Sequence, residues 1–334
     1  MLRRLIARIG LAAAIILPAA GAGVTSPNQL RILLPLYAYP EWWDAPAYIW
    51  DDVAAQGSNA PIVAIINPDS GPGLGFPNID YLHGMADLRA GGVQMIGYVY
   101  TSYGARPLTN VLADIAAYAA STNVSGIFLD ECANTTNLLG YYTQLYAAVH
   151  SQPGFSLVVV NPGTQLPEAF VAAPATDVAV IFEHETGWPA YAADGYVAQF
   201  PPYRFAALPY AVGQATQMQD FVDLAVQRNV GWIYVTDDDL PNPWDTLPAY
   251  WTNLTALVGA YRRTGATAAR VTNQTLRIDW SVPAGRPFRV EHAATPVAGD
   301  WSPLTGSATA ELAGAATDLL LTNTSGAVRL RLFP

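Results

Sequence analysis

Residues 126–131 read Gly-Ile-Phe-Leu-Asp-Glu, a short apolar run that ends abruptly in two adjacent acids, Asp130 and Glu131. The run is too short for a helix, and its residues suit a strand covered on both faces. Working outward, seven further runs of the same kind recur: "RILLPLYAY" (31–39), "PIVAIIN" (61–67), "QMIGYVYT" (94–101), "SLVVVNP" (156–162), "DVAVIFE" (177–183), "RFAALPY" (204–210) and "GWIYVTD" (231–237). Stretches with helical spacing lie between them, such as "VLADIAAYAAST", "LLGYYTQLYAAVHSQ" and "TQMQDFVDLAVQRN", and "YWTNLTALVGAYRR" follows the eighth. Strands that alternate with helices pair in parallel, and eight such units over about 230 residues predict an α/β fold, a (β/α)8 TIM barrel spanning residues 31–263. A doubly wound open sheet fits less well, because no GxGxxG follows the first strand and no two-half pattern is present.

The pattern changes on either side of this region. From Gly265 onward "TLRIDWSV", "FRVEHAAT", "ATAELAG" and "AVRLRLFP" alternate apolar and polar residues between Pro, Gly and Thr turns, which predicts a small C-terminal antiparallel β-sandwich-like domain over residues 265–334. Trp280 and Trp301 read there as core residues. Upstream, Arg3, Arg4 and Arg8 precede the apolar run "IGLAAAIILPAAGA" ending in Ala20-Gly21-Ala22, the pattern of a signal peptide over residues 1–22. The expected setting is secreted or periplasmic, or the cell surface, with no stable membrane insertion after signal cleavage.

Charge and composition exclude several functions. All 16 basic residues are Arg and there is no Lys, which removes the Schiff-base lysine and the P-loop lysine. The net charge is −10 and becomes more negative once the signal arginines are removed, so nucleic acid is not expected as a partner and a neutral or cationic substrate is. Cys132 is the only cysteine; it cannot form an intrachain disulfide, and it reads as a small buried thiol.

In a barrel of this kind the reacting groups stand at the C-terminal ends of the strands. Every expected strand delivers a polar group there: Tyr37 and Tyr39, Asn67 and Asp69, Tyr98 and Tyr100, Asp130 and Glu131, Asn161, Glu183, Tyr210 and Asp237. Loop capping accounts for Asp69 and Asp237, but not for acids that end the apolar runs "FLDE" and "IFE". A carboxylate placed there is desolvated unless partnered, and its pKa becomes adjustable. Asp130, Glu131 and Glu183 are therefore the candidate catalytic residues. Tyr37, Asn67, Asp69, Tyr98, Tyr100, Asn161, Trp188, Tyr210 and Asp237 are candidate substrate-binding residues, since they fall on or beside the same rim. Trp42 and Trp43 read equally well as stacking or as helix-packing residues. His184 and Glu185 flank Glu183, but neighbouring strand residues point to opposite faces, so no metal site and no cofactor are expected.

The motifs "LLPLYAYP", "IINPDSGPG", "GYVYTSYG", "GIFLDE", "YYTQLYAAV", "VVNPGT" and "VIFE" appear in order over most of residues 33–183, and together they resemble the spherulin-4 family of carbohydrate-active barrels. The resemblance implies a glycoside hydrolase that cuts within α-1,4-linked galactosamine or N-acetylgalactosamine polysaccharide, with Asp130, Glu131 and Glu183 at its essential acidic positions. The sequence departs from the family pattern at Tyr100, where His is common, and at Asp69, where Asn is common; both changes bear on subsite preference. A carboxyl pair can supply both the acid and the base or nucleophile of glycosidic cleavage. Glu183 is expected as general acid, Asp130 as nucleophile or stabiliser of the oxocarbenium-like state, and Glu131 as a tuning or substrate-orienting group. The alternative function is a non-catalytic cell-coat or polysaccharide-binding barrel, because fold alone does not establish turnover.

Overall fold

The structure, a computed structural model, describes residues 30–121 and 123–261 in full and, outside them, only the backbone of short segments. Leu30–Gly259 forms one compact unit. Its eight strands are β1 (Ile32–Leu36), β2 (Ile62–Ile66), β3 (Gln94–Tyr100), β4 (Gly126–Asp130), β5 (Leu157–Val160), β6 (Val178–His184), β7 (Phe205–Pro209) and β8 (Trp232–Ile233). Each pairs in parallel with its neighbours in chain order. The ring closes through a parallel bridge between Arg31 and Trp232, in which Arg31 N–H donates to Gly231 O at 3.0 Å and Ile233 N–H to Arg31 O at 2.9 Å. This is the (β/α)8 barrel expected from the alternation.

The apolar runs are explained by where they lie. Every residue of β1 and of β2 is buried, one face towards the barrel axis and the other beneath helices. Burying each such Val, Leu or Ile side chain contributes about 1.5–3 kcal/mol. The covering helices are α1 (Ile49–Gln56), α2 (Ile79–Ala90), α3 (Leu108–Ser121), α4 (Leu139–His150), α5 (Glu168–Ala172), α6 (Ala215–Gln227) and α7 (Trp251–Arg262). Tyr118 of α3 packs so closely on β3 that a Cβ at Gly97 would stand 2.6 Å from its ring, and its hydroxyl donates to Ile66 O at 2.9 Å.

Two elements differ from the sequence expectation. The segment after β6 is not an α-helix but three 3-10 turns, Trp188–Ala190, Gly195–Gln199 and Pro202–Arg204. Pro189, Pro201 and Pro202 deny it the backbone donors and the φ/ψ continuity of a helix. The eighth strand is shorter than the run 231–237, although Tyr234 N–H and Thr236 N–H still donate to Ala207 O and Pro209 O beside it.

The expected signal peptide, and the side chains of Trp280 and Trp301, lie outside the residues described in full. In the unit that holds residues 260–334, Thr275–Trp280 pairs antiparallel with Gly265–Arg270 and with Ala315–Leu321, and Pro287–Ala293 pairs antiparallel with Ala327–Leu332. Among the described residues no helix is long and apolar enough to cross a membrane.

Candidate active site

The C-terminal ends of β3, β4, β5 and β6 bring four polar side chains together. Asn161, one residue beyond β5, donates through Nδ2 to Asp130 Oδ1 at 2.9 Å and to Glu183 Oε2 at 2.6 Å. Tyr98 OH donates to the other Asp130 oxygen at 2.7 Å. Tyr37, leaving β1, sets its ring edge-on against Tyr98 with centroids 5.7 Å apart. Its N–H donates to Trp244 O at 3.0 Å.

The backbone that carries Asp130 is held tightly. Glu131 has φ 49°, a left-handed conformation that interrupts the strand's alternation directly after the acid. Its carbonyl accepts from Tyr103 N–H at 2.7 Å and from Thr101 Oγ1 at 2.7 Å. Thr101 in turn meets Tyr142 OH at 2.8 Å, and that hydroxyl accepts from Ala133 N–H at 2.8 Å. Cys132 N–H donates to Asn161 O and Asn161 N–H to Leu129 O, so the β4 turn and the bridging amide form one rigid piece. These hydrogen-bonding roles of Thr101 and Tyr142 escape the sequence patterns, because buried Thr and Tyr carry no motif.

Electrostatics divide the carboxyls. Burial, followed by the charge of Asp130, pushes Glu183 up to about 7. Burial also raises Asp130, but hydrogen bonds from Tyr98, the Glu131 backbone and Asn161 oppose the rise. Burial and the neighbouring acids push the Tyr37 and Tyr98 phenols well up, so both remain protonated donors. The Cys132 thiol is fully buried and pushed up to about 12 by that burial, as a structural cysteine should be.

The remaining candidates separate into two groups. Tyr210 stands beside the site: its N–H donates to His184 O at 3.3 Å, next to Glu183, and its ring lies 6.4 Å from that of His184 and edge-on to Trp244. Tyr100 pairs with Asp130 across the β3–β4 ladder and has the Arg106 guanidinium 4.1 Å above its ring centroid. Asn67 and Asp69 do not reach the acids: Asn67 Oδ1 accepts from Gly71 N–H to shape the rim loop, and Asp69 is exposed on that loop, where its charge acts on Tyr81 of α2. Asp237 uses Oδ2 to accept from Ala249 N–H before α7. Trp188 is a correction. It is fully buried, donates from Nε1 to Phe221 O, and is packed between Phe182, Tyr191 and Arg228, so it is a core residue and not a sugar-stacking wall. The left-handed Gly187 turns the chain inward directly before it.

Glu183 also faces a cleft of about 350 Å³ between the segments that follow β5 and β6, lined by Gln165, Phe182, His184, Thr186 and Tyr191 among others. Asp130 and Glu131 are not part of its wall, so the cleft extends from the Glu183 side of the acid pair. Among the described residues no group of three or more His, Cys, Asp or Glu is arranged to hold a metal ion.

The sequence of the barrel matches a known family. Residues 31–258 match the model of spherulation-specific family 4. The chain belongs to the spherulin-4 family. Spherulin-4 of Physarum polycephalum is 34% identical over 223 residues, which are 64% of this chain and 65% of that protein's length. The match therefore spans a little under two thirds of that spherulin-4. Among solved structures, Sph3 of Aspergillus clavatus, crystallised in complex with GalNAc, superimposes with a TM-score of 0.60 at 24% identity, covering 70% of this chain and 98% of that one. That likeness shows the barrel fold.

Proposed function

We propose that this protein is an exported glycoside hydrolase that cuts within α-1,4-linked galactosamine or N-acetylgalactosamine polysaccharide. The observation that carries the proposal is the Asp130–Asn161–Glu183 bridge, in which two buried carboxyls are held beside each other in different electrostatic settings. Membership of the spherulin-4 family and the GalNAc bound to the Aspergillus clavatus relative support the choice of sugar.

Glu183 keeps its proton near neutral pH and donates it to the glycosidic oxygen as the bond from that oxygen to the anomeric carbon breaks. Asp130, oriented by Tyr98 and Asn161, attacks the anomeric carbon from the other side or stabilises its positive charge. In the second half, Glu183 takes a proton from water, the hydroxyl adds to the anomeric carbon, and the Asp130 carboxylate is released. On an N-acetylated sugar the substrate's own acetamide can replace Asp130 as nucleophile, and Asp130 then orients it. Glu131 contributes its charge beside Asp130 and Tyr98.

The test is the release of reducing ends from purified α-1,4-galactosamine polymers, both partly and fully acetylated. Wild-type protein should release them as internal fragments and Glu183→Gln protein should not. Polymer binding without any release by the wild-type protein would favour a cell-coat barrel without turnover.

A further inference from the structure

Away from the acids, the loop from β1 to α1 holds a cluster of aromatic rings in solvent. Trp43 is 58% exposed, Trp42 43% and Tyr39 41%. Trp42 packs one face on α2, and Trp43 stands out in solvent. They are nevertheless fixed. Asp80, in the first turn of α2, accepts from Tyr39 OH at 2.6 Å with one oxygen and from Trp42 Nε1 at 3.0 Å with the other. His83 stacks under Trp42 with centroids 4.7 Å apart and ring planes 17° apart. Trp43 stands edge-on to Trp42, at 5.8 Å and 80°. Leaving two indoles in water forfeits the stabilisation their burial would give, and immobilising them costs side-chain entropy. A surface that accepts both costs is preorganised to bind something flat and partly apolar, as sugar rings are.

We propose that Trp42 and Trp43 form a stacking platform that holds a distant part of the polysaccharide chain while another part lies across Asp130 and Glu183. This rests on the reading of the substrate as an amino-sugar polymer. Two observations select that occupant. The platform sits on the loop that leaves the site, because β1 delivers Tyr37 to Tyr98, which bonds Asp130, and the chain then runs directly into Tyr39, Trp42 and Trp43. Both the β1–α1 loop and the start of α2 lie at the barrel end where the acids are. The charge of the patch is also informative: Asp80 bonds Tyr39 and Trp42, the charge of Glu41 acts on Tyr39, and residues 39–48, which also include Asp44, contain no basic side chain. In a chain of net charge −10 this repels a second copy of itself and attracts a partly deacetylated, cationic polymer.

The experiment separates the platform from the chemistry. Trp43→Ala and Trp42→Ala/Trp43→Ala proteins are compared with wild type on a short α-1,4-galactosamine oligomer, on the partly deacetylated polymer, and by affinity electrophoresis in gels containing that polymer. The expected result is oligomer turnover within about twofold of wild type, polymer kcat/KM down at least tenfold for the double variant, and loss of retardation in the gel. Trp43 makes no hydrogen bond through its exposed indole, so the single variant keeps its fold and should show a partial form of the same effect. Equal losses on oligomer and polymer, or unchanged retardation, would overturn the platform. So would concentration-dependent dimerisation of the wild type that the variants abolish, since the face would then serve a second copy. If the wild type cleaves neither substrate, the hydrolase reading fails, and the gel shift alone still decides the platform.

Discussion

Asp130 and Glu183 are tied to a single amide group: Asn161 Nδ2 reaches Asp130 Oδ1 at 2.9 Å and Glu183 Oε2 at 2.6 Å. One neutral donor thus holds two acids that would repel each other if both were ionised, and it fixes the distance between them. Hydrogen bonds to charged groups contribute about 1.5–3 kcal/mol each, roughly a tenfold to a hundredfold factor in rate where they position reacting groups. Asn161→Ala should therefore fold and lose at least about 10²-fold in kcat on a defined oligomer. Asn161→Asp, of equal size, puts a third carboxyl in place of the donor. Its loss should be larger at pH 8 than at pH 5, which steady-state rates at the two values will show.

The pH dependence of stability follows from Glu183. In the fold it keeps its proton up to about 7, whereas in the unfolded chain it releases it in the ordinary carboxyl range. The folded state therefore binds more protons between those limits, and stability is highest below the ordinary range and declines as pH rises through about 7. Asp130 is raised in the same direction and adds to the slope. Glu183→Gln removes the ionisation, so it should melt several degrees above wild type at pH 8, with the difference shrinking by pH 4. The gain is at most about 3–4 kcal/mol. A thermal melt series that shows Glu183→Gln no more stable at pH 8 would mean the carboxyl is not held protonated.

Activity should report the same proton. If Glu183 is the acid, kcat/KM falls above about pH 7. Tyr98→Phe acts on the other limb. It deletes the hydrogen bond that counters the burial of Asp130, so Asp130 ionises at higher pH and the ascending limb moves upward while the descending limb moves little. A Tyr98→Phe profile that merely drops in height, with both limbs in place, would assign Tyr98 to substrate contact instead.

How far the sequence reveals this site depends on which physical signal each residue carries. Asp130 and Glu183 are legible because an acid at the end of an apolar strand contradicts the burial pattern around it. Asn161 is legible as a rim residue, but not as the bridge, since strand spacing does not say which side chains across two ladders share a hydrogen bond. Trp188 is misread for the opposite reason. Its position after β6 is that of a rim residue, and only the left-handed turn at Gly187 sends it beneath Phe182 and against Phe221. The missing helix after β6 was signalled by Pro189, Pro201 and Pro202, whose effect outweighs the regular alternation elsewhere. Asp237 shows the ambiguity of loop acids, which cap backbone as readily as they bind ligands.

Glu131 offers a test that separates backbone from side chain. Its φ of 49° is unfavourable for a residue with a Cβ, by about 1–2 kcal/mol, and glycine adopts it freely. Glu131→Gly should therefore equal or exceed Glu131→Ala in stability, despite the greater freedom glycine gives the unfolded chain. Both should lose most activity if the carboxylate acts on substrate or on Asp130. Full activity in Glu131→Gly would show that the position serves only to turn the chain.

The bridge also bears on stereochemistry. Because both carboxyl oxygens bond to one nitrogen, they stand at most about 5.5 Å apart, the sum of the two bond lengths. Retaining glycosidases separate their carboxyls by about 5–5.5 Å, while inverting ones need about 6.5–9.5 Å to admit a water beneath the sugar. The spacing of the two oxygens that share Asn161 matches the retaining range, so the expected attacking group in the first step is Asp130 itself or the substrate's acetamide. Either route inverts the centre twice. Hydrolysis of an α-linked oligomer followed by proton NMR should accordingly show the α-anomer of the product first, with the β-anomer growing in only by mutarotation. Initial appearance of the β-anomer would overturn retention and move Asp130 from nucleophile to general base.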